Sequence, residues 1–439
     1  MSSVASGSAR VCVIGAGPCG LTTVKNLLEA GLDDIVCYEE TSAIGGNWVY
    51  VDDPDQRSVY RATRLISSKR LSEFEDFPMP ADYPDFPSHQ QMRTYFENYA
   101  AQFGLTRFIR LQTRVDKASL RADGRWLVKC ITPSGSSEEI FDHLLICAGH
   151  LREPNVPTYP GTFSGETLHS RAFKRADSFR NKRVLVVGGG NSACDLAVDI
   201  SRVAARTCLS VRRGYYIVPK IMFGRPVDVL YARLRKRGWL PHAFVRGLLT
   251  VLLRVGIGPW EKYGLPAPNV PLFAMHPTLN TNILSALRDG SVVTRSGIER
   301  FDGEHIRFSN GVTEPFDAIV WATGFQITFP FLDGSIIDWD TKRPPPLYLK
   351  MMHRKFTNLF FIGLFQPIGC IWTLADYQAR IAAQQIAGRL PRPSDIDDRI
   401  AHEMRSRHWP FDTEPRHAVE VDYHDFRREL LDELASAPA

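Results

Sequence analysis

Apolar residues in this chain follow two alternating periods. Short unbroken runs are followed by stretches in which apolar positions recur every three or four residues. Val11-Cys12-Val13-Ile14 is the first run, long enough for a buried strand and too short for a helix. Leu21, Val24, Leu27 and Leu28 then fall at helical spacing, and a second run follows from Ile35 to Tyr38. The same order returns further on: Val184-Leu185-Val186-Val187, then Leu196, Ile200 and Val203, then Thr207 to Val211. Strand, helix, strand with short connections predicts a βαβ unit. Two of them predict an α/β fold with two doubly wound, mostly parallel sheets, one for each dinucleotide-binding domain.

Each predicted strand-to-helix turn is glycine-rich. The first reads Gly15-Ala16-Gly17-Pro18-Cys19-Gly20 and the second Gly188-Gly189-Gly190-Asn191-Ser192-Ala193. In such a turn the first glycine permits the tight bend and the second lets a pyrophosphate approach the backbone. The third position lets the helix pack on the strand, and alanine is tolerated there. The helix N-terminus adds unpaired N–H groups and a partial positive charge. The two units end differently. The second strand of the first ends at Glu39, whose carboxylate can accept from both ribose hydroxyls and would repel a 2′-phosphate. In the second, the corresponding strand ends at Arg212-Arg213, whose guanidinium groups suit a 2′-phosphate. The first turn suits an unphosphorylated adenosine, such as that of FAD or NAD, and the second suits NADPH; the two unequal turns together imply a flavoprotein reduced by NADPH, with FAD at the first. Gly45-Gly46-Asn47-Trp48 fits equally a loop approaching a planar ligand and a plain turn.

Composition narrows the class. The chain has 439 residues, 44% hydrophobic and 23% charged, which suits two or three globular domains. A net charge of +5 gives no reason to expect nucleic acid. Eight cysteines include no Cys-x-x-Cys pair and no zinc spacing, so neither a redox dithiol nor a metal is expected. Buried reduced thiols and an N-terminus without a charged-then-apolar pattern lead to a cytoplasmic expectation. Ala243 to Gly258 is the longest apolar run, interrupted by Arg246 and Arg254 and preceded by Arg233, Arg235, Lys236 and Arg237. A helix packed within an insertion is the favoured reading. A peripheral membrane contact is the alternative.

Phe163-Ser164-Gly165-Glu166-Thr167-Leu168-His169-Ser170-Arg171-Ala172-Phe173-Lys174 resembles the FxGxxxHxxx(Y/F) signature of flavin-containing monooxygenases, the class B single-component flavoprotein enzymes. Related Baeyer–Villiger enzymes usually carry Trp followed by Pro or Asp where this chain has Phe173-Lys174. Ser67-Ser68-Lys69, Asp76-Phe77-Pro78-Met79-Pro80 and Tyr83-Pro84-Asp85-Phe86-Pro87 resemble the family's stretch facing the flavin. Cys147-Ala148-Gly149 and Ala322-Thr323-Gly324-Phe325 resemble its two interdomain junctions. Gln366-Pro367-Ile368-Gly369 before a helix near Thr373 fits the same pattern. Arg416-His417 and Val421-Asp422-Tyr423 resemble the tail of bacterial members.

The resemblance implies an NADPH- and O2-dependent monooxygenase. It would form a C4a-(hydro)peroxyflavin that oxygenates a soft nitrogen or sulfur of a small organic substrate, with NADPH across an interdomain cleft. It also implies a split arrangement: residues 1–175 and 325–439 form the FAD domain, and 176–324 the NADPH domain, with an insertion at about 214–278 shaping the substrate entrance. The C-terminal tail either closes over the domain or joins a dimer contact. Candidate cofactor residues are Gly15, Gly17, Pro18, Cys19, Gly20, Glu39, Gly46, Asn47, Trp48, Val115, Ala148, Gly149, His169, Gln366 and Thr373. To these are added the second turn (Gly188, Gly190, Asn191, Ser192, Ala193), Arg212, Arg213, Ala322, Thr323 and Gly324. Thr373-Leu374-Ala375-Asp376 reads as a capping box opening a helix whose positive end could face the flavin. Ile66, Ser67 and Ser68 are the candidate residues at the reactive face. The family commonly has asparagine where this chain has Ile66, and isoleucine has no amide to donate. That keeps a largely uncoupled NADPH oxidase open beside N/S-oxygenation. A Baeyer–Villiger oxygenase and a flavin-binding interaction protein also remain open.

Overall fold

The computed structural model describes residues 9–56, 58–236, 242–336, 345–405 and 419–436. It divides into two compact units. The first comprises the chain up to Val49, Lys69–His150 and the chain from Ile327 onward. The second comprises Tyr50–Ser68 and Leu151–Gln326.

The first unit is built on a seven-stranded sheet in the order Leu347–Tyr348, Met352–His353, Leu359–Phe361, His143–Ile146, Val11–Ile14, Ile35–Tyr38, Ile109–Arg110. The last five of these run parallel. Val11–Ile14 and Ile35–Tyr38 form as the apolar runs predict, and all eight residues are buried. Cys12, Ile14, Val36, Tyr38, Leu144 and Ile146 share a core with Trp126, Val128 and Phe141. Those three belong to an antiparallel meander of Arg114–Leu120, Trp126–Thr132 and Gly135–Phe141. Helices Pro18–Glu29 and Ile371–Ile386 pack on each other, with a polar seam. In it Asn26 Nδ2 donates to Asp376 Oδ1 at 2.8 Å, Thr22 donates to the same oxygen, and Arg380 pairs with the other.

The second unit repeats the plan with five parallel strands: Val292–Arg295, Arg206–Ser210, Arg183–Val187, Ala318–Trp321, Glu166–His169. Leu185, Val187, Cys208, Ile319 and Trp321 share a core with Phe301, Ile306 and Phe308 of a second antiparallel meander. The insertion supplies helices Val227–Lys236 and His242–Ile257.

The first division between the units falls after His150, not at 175 as the sequence suggested, and the second falls after Gln326, two residues from the expected 324. Glu166–His169 pairs with Ala318–Trp321 and so belongs to the second sheet. The two crossing segments, Glu153–Pro154 and Phe325–Gln326, pair antiparallel with each other. Tyr50–Ser68 also joins the second unit. Lys174 Nζ donates to Gln56 O at 2.8 Å and to Ser58 Oγ at 2.7 Å, and Arg61 N donates to Lys174 O at 2.9 Å.

Candidate functional site

The two glycine-rich turns share one geometry. Gly15 N donates to Tyr38 O at 2.7 Å, and Gly188 N donates to Ser210 O at 3.1 Å. Each first glycine has positive φ, 103° and 140°. Each also lies against the carbonyl that opens a junction, Cys147 for Gly15 and Ala322 for Gly188, where a Cβ would collide. Those junctions are held alike: Cys147 N donates to Ile14 O and Ala322 N to Val187 O, both at 2.9 Å. Cys147-Ala148-Gly149 and Ala322-Thr323-Gly324 are therefore the floors of the two turns. The third position differs. A Cβ at Gly20 would run into the Gly15 carbonyl oxygen, whereas Ala193 sits fully buried in its own turn.

Neither following helix, Pro18–Glu29 or Asn191–Ser201, has a side-chain cap or an acidic residue in its first turn. Both N-termini thus keep their partial positive charge for an anion. At the first, Gly45 N donates to Ala16 O at 3.0 Å, bringing the Gly45-Gly46 bend onto Gly17. Asn47 Oδ1 is buried there without a hydrogen-bond partner, and Trp48 packs edge-on against Trp372 at 5.8 Å. An acceptor with no donor beside a glycine cradle fits the nucleotide of FAD. At the second, the space around Gly190 is open, Ser192 is exposed, and Arg212 and Arg213 lie two and three residues beyond the end of the strand Arg206–Ser210.

Several expected residues do something more local. Glu39 is buried, and its carboxylate accepts from Ala16 N at 2.8 Å, Thr41 N at 2.9 Å and Thr41 Oγ1 at 2.8 Å. A carboxylate has about four acceptor positions, so room remains for one ribose hydroxyl rather than two. Asn191 Oδ1 accepts from Leu279 N at 2.7 Å and shapes the turn's surroundings. His169 Nδ1 accepts from Arg171 N at 3.2 Å and its Nε2 lies 3.0 Å from Gly324 O. Both ring nitrogens are taken by main chain, and burial holds its pKa below the usual histidine value. Thr373 is not a cap: the helix starts at Ile371, and Thr373 Oγ1 bonds Cys370 O at 3.3 Å and Tyr423 OH at 3.0 Å. Its expected partner Asp376 is drawn instead into the seam with Thr22, Asn26 and Arg380, a better-paired place for a buried carboxylate.

Pro18 is the first residue of its helix, where a missing N–H costs nothing. The Cys19 side chain packs against Gly363, and Val115 is buried in the meander opposite Cys130. Gln366 starts a two-residue strand paired with Glu420–Val421 and hydrogen-bonds the buried His150. Arg416-His417 lies outside the described residues. Ile66 is half-buried, and Ser67 and Ser68 are buried. Burial pushes the Cys147 and Cys370 thiols up to about 12, so both stay protonated.

Periodicity missed Lys220, Asp228, Asp195 and Asn280. Asp195 had one signal, a carboxylate within the apolar pattern of its helix. The insertion helix His242–Ile257 buries Val245, Leu249, Leu253 and Ile257, as the packing reading expects. It also exposes Phe244, Leu248, Val251 and Val255, which packing does not account for.

Among the described residues there is no cluster able to hold a metal, and all eight cysteines are free. Two dinucleotide turns with opposite charge at their strand ends, and no dithiol, define an oxidoreductase that moves electrons between two nucleotide cofactors. The chain belongs to the flavin-binding monooxygenase-like family, whose model matches residues 8–439. It is 33% identical to the flavin-containing monooxygenase 5 of Homo sapiens over 98% of this chain and 83% of that protein. It is 32% identical, with the same coverage, to the dimethylaniline monooxygenase (N-oxide-forming) 2 of Rattus norvegicus. Its fold resembles the S-allyl-L-cysteine S-oxygenase of Allium sativum, with TM-score 0.73 and 22% identity over 98% and 89% of the two chains. It also resembles a cyclohexanone monooxygenase, with TM-score 0.72 and 17% identity over 97% and 98%. FAD and NADPH are the cofactors of such an enzyme. No helix among the described residues is long and apolar enough to cross a membrane.

Proposed function

We propose that this monooxygenase transfers one oxygen atom of O2 to a soft nitrogen or sulfur of a small organic substrate, with FAD at the Gly15–Gly20 turn and NADPH at the Gly188–Ala193 turn. The observation that carries this reading is the pair of turns built alike and finished differently, with Glu39 at one and Arg212-Arg213 at the other. When bound, FAD accepts the hydride of NADPH and activates dioxygen; the second oxygen atom leaves as water.

The chain's own residues position and exclude. The helix N-termini at Gly17 and Gly190 attract the diphosphates. Glu39 disfavours a 2′-phosphate at the first turn, and Arg212-Arg213 favour one at the second. Ser67 and Ser68 sit buried beside Ile66, a side chain that excludes water and donates no hydrogen bond. No protein acid or base is required, because the nucleophile is the substrate.

The names of the relatives, an N-oxide-forming enzyme and an S-oxygenase, support the soft nucleophile. The fold shared with a cyclohexanone monooxygenase favours one second reading, oxygen insertion beside a ketone carbonyl. Offering the enzyme a thioether, a tertiary amine and a cyclic ketone separately, while accounting for NADPH, product and hydrogen peroxide, decides between them. Sulfoxide or N-oxide matching most of the NADPH consumed is expected. Lactone from the ketone alone would favour the second reading, and peroxide matching NADPH with every substrate would defeat both.

The outward row Phe244, Leu248, Val251 and Val255, flanked by exposed Arg254, supports a peripheral contact with an anionic lipid surface. Co-sedimentation with phosphatidylserine vesicles that is lost in Phe244→Ser/Val251→Ser is the expected result. Equal sedimentation of both proteins would remove this contact from the reading.

A further inference from the structure

Two side chains of the insertion hold the main chain of Leu65-Ile66-Ser67-Ser68. Lys220 Nζ donates to Leu65 O at 3.3 Å, and Asp228 Oδ2 accepts from Ser68 N at 2.6 Å. They come from different elements. Lys220 lies two residues beyond the strand Ile217–Val218, and Asp228 lies in the first turn of helix Val227–Lys236. The run is therefore gripped at both ends through its backbone. This grip matters because Ile66 supplies no amide of its own.

Lys220 is also joined to the second glycine-rich turn by a continuous set of polar contacts within one compact unit. Thr278 Oγ1 donates to Gly189 O at 2.7 Å, and Leu279 N donates to Asn191 Oδ1 at 2.7 Å. Thr278–Leu279 pairs in parallel with Ile217–Val218, and Asn280 N donates to Val218 O at 3.1 Å. Lys220 N donates to Thr281 Oγ1 at 3.1 Å. The side chains close the same circuit. Asn280 Nδ2 donates to Asp195 Oδ1 at 2.5 Å, Asp195 also bonds Tyr60, and the Lys220 ammonium is attracted to the Asp195 carboxylate. Asp195 belongs to the helix that the glycine-rich turn opens. Segment 60–68 is thus tied to that helix at Tyr60 and, through Lys220, at Leu65.

We propose that Lys220 is a positioning residue that couples occupancy of the Gly188–Ala193 turn to the placement of Leu65–Ser68, with Asp228 as the second, fixed anchor. The coupling rests on the reading that this turn takes NADPH. A ligand that orders the turn also orders Thr278–Asn280, which carries both the strand supporting Lys220 and the partner of Asp195. Lys220 then has one favoured position for its bond to Leu65. Without the ammonium, the turn can be ordered while segment 60–68 is not.

The test is hydrogen exchange on the flavin-loaded enzyme with and without NADP⁺, for wild type and Lys220→Met. NADP⁺ should slow exchange in 188–196 of both proteins, and in 60–68 of wild type only. The lost protection should be on the order of tenfold, the scale of one hydrogen bond to a charged group. Peroxide released per NADPH should rise in Lys220→Met and fall back in Lys220→Arg. Lys220→Gln, which keeps a donor, is the milder variant if Lys220→Met does not retain flavin. Protection of 60–68 equal to wild type in Lys220→Met, or in Lys220→Gln where that variant takes its place, would overturn the coupling. NADP⁺ that bound wild type without protecting 188–196 would overturn the cofactor reading itself, which a separate binding titration identifies.

Discussion

The imidazole of His169 bridges two main-chain segments: its Nε2 lies 3.0 Å from the carbonyl oxygen of Gly324, while its Nδ1 accepts from Arg171 N. Because Nδ1 accepts, Nε2 carries the proton and donates. This neutral tautomer is what burial favours. Gly324 is the residue before the segment in which the chain leaves the second unit, so the histidine of the signature sequence fastens that exit. A folded-state pKa below the usual value means that the unfolded chain binds the proton more readily. Stability linked to His169 is therefore intact above the ordinary histidine range and is lost as pH falls through it. His169→Gln removes the titration. Wild type should lose stability relative to this variant between pH 7 and 5, by at most about 1.4 kcal/mol per pH unit. Parallel denaturation midpoints across that range would remove this role.

Gly20 and Ala193 occupy equivalent positions with unequal tolerance. Gly20→Ala places a methyl group on the Gly15 carbonyl, so the turn must open. The expected cost is at least the roughly 1–3 kcal/mol of overpacking, read as a lower melting temperature and purification without flavin colour. Ala193→Gly should cost only about 0.5–1 kcal/mol and leave NADPH affinity nearly unchanged. Normal flavin content in Gly20→Ala would show that the turn does not depend on this approach.

The guanidinium pair gives a test of cofactor choice. Arg212→Ala/Arg213→Ala removes charge-assisted bonds to a 2′-phosphate, each worth about 1.5–3 kcal/mol. The NADPH dissociation constant should rise by about two to four orders of magnitude, with NADH little changed. An unaltered NADPH preference would place 2′-phosphate recognition elsewhere.

Ile66→Asn restores the amide common in the family. The expected outcome is a smaller share of NADPH electrons appearing as hydrogen peroxide, with the rate of flavin reduction unchanged. A peroxide yield identical to wild type would mean that the amide is dispensable here and that Ser67, Ser68 or a cofactor group serves instead.

Much of the molecule is legible from local pattern. Val11–Ile14, Ile35–Tyr38 and Val184–Val187 are strands because short β-branched and apolar runs between glycine-rich turns have few other ways to be buried. The glycines at 15, 17, 20 and 188 follow from backbone geometry, and Glu39 and Arg212-Arg213 from their places at strand ends. Long-range choices were not legible. Thr373 and Asp376 satisfy a capping pattern, yet Asp376 finds Thr22, Asn26 and Arg380, which local sequence does not foresee. Glu39 spends most of its acceptors on its own turn, and His169 spends both nitrogens on main chain. The sequence alone determined the two nucleotide folds, their order and their opposite charges, because those depend on residues close together in the chain. Only tertiary structure decided that Glu166–His169 joins the second sheet and that Tyr50–Ser68 travels with it. It alone brought Lys220 and Asp228 to Leu65 and Ser68. Contacts between residues more than a hundred positions apart are selected by packing and by the need to pair buried charge, and neither leaves a periodic mark on the sequence.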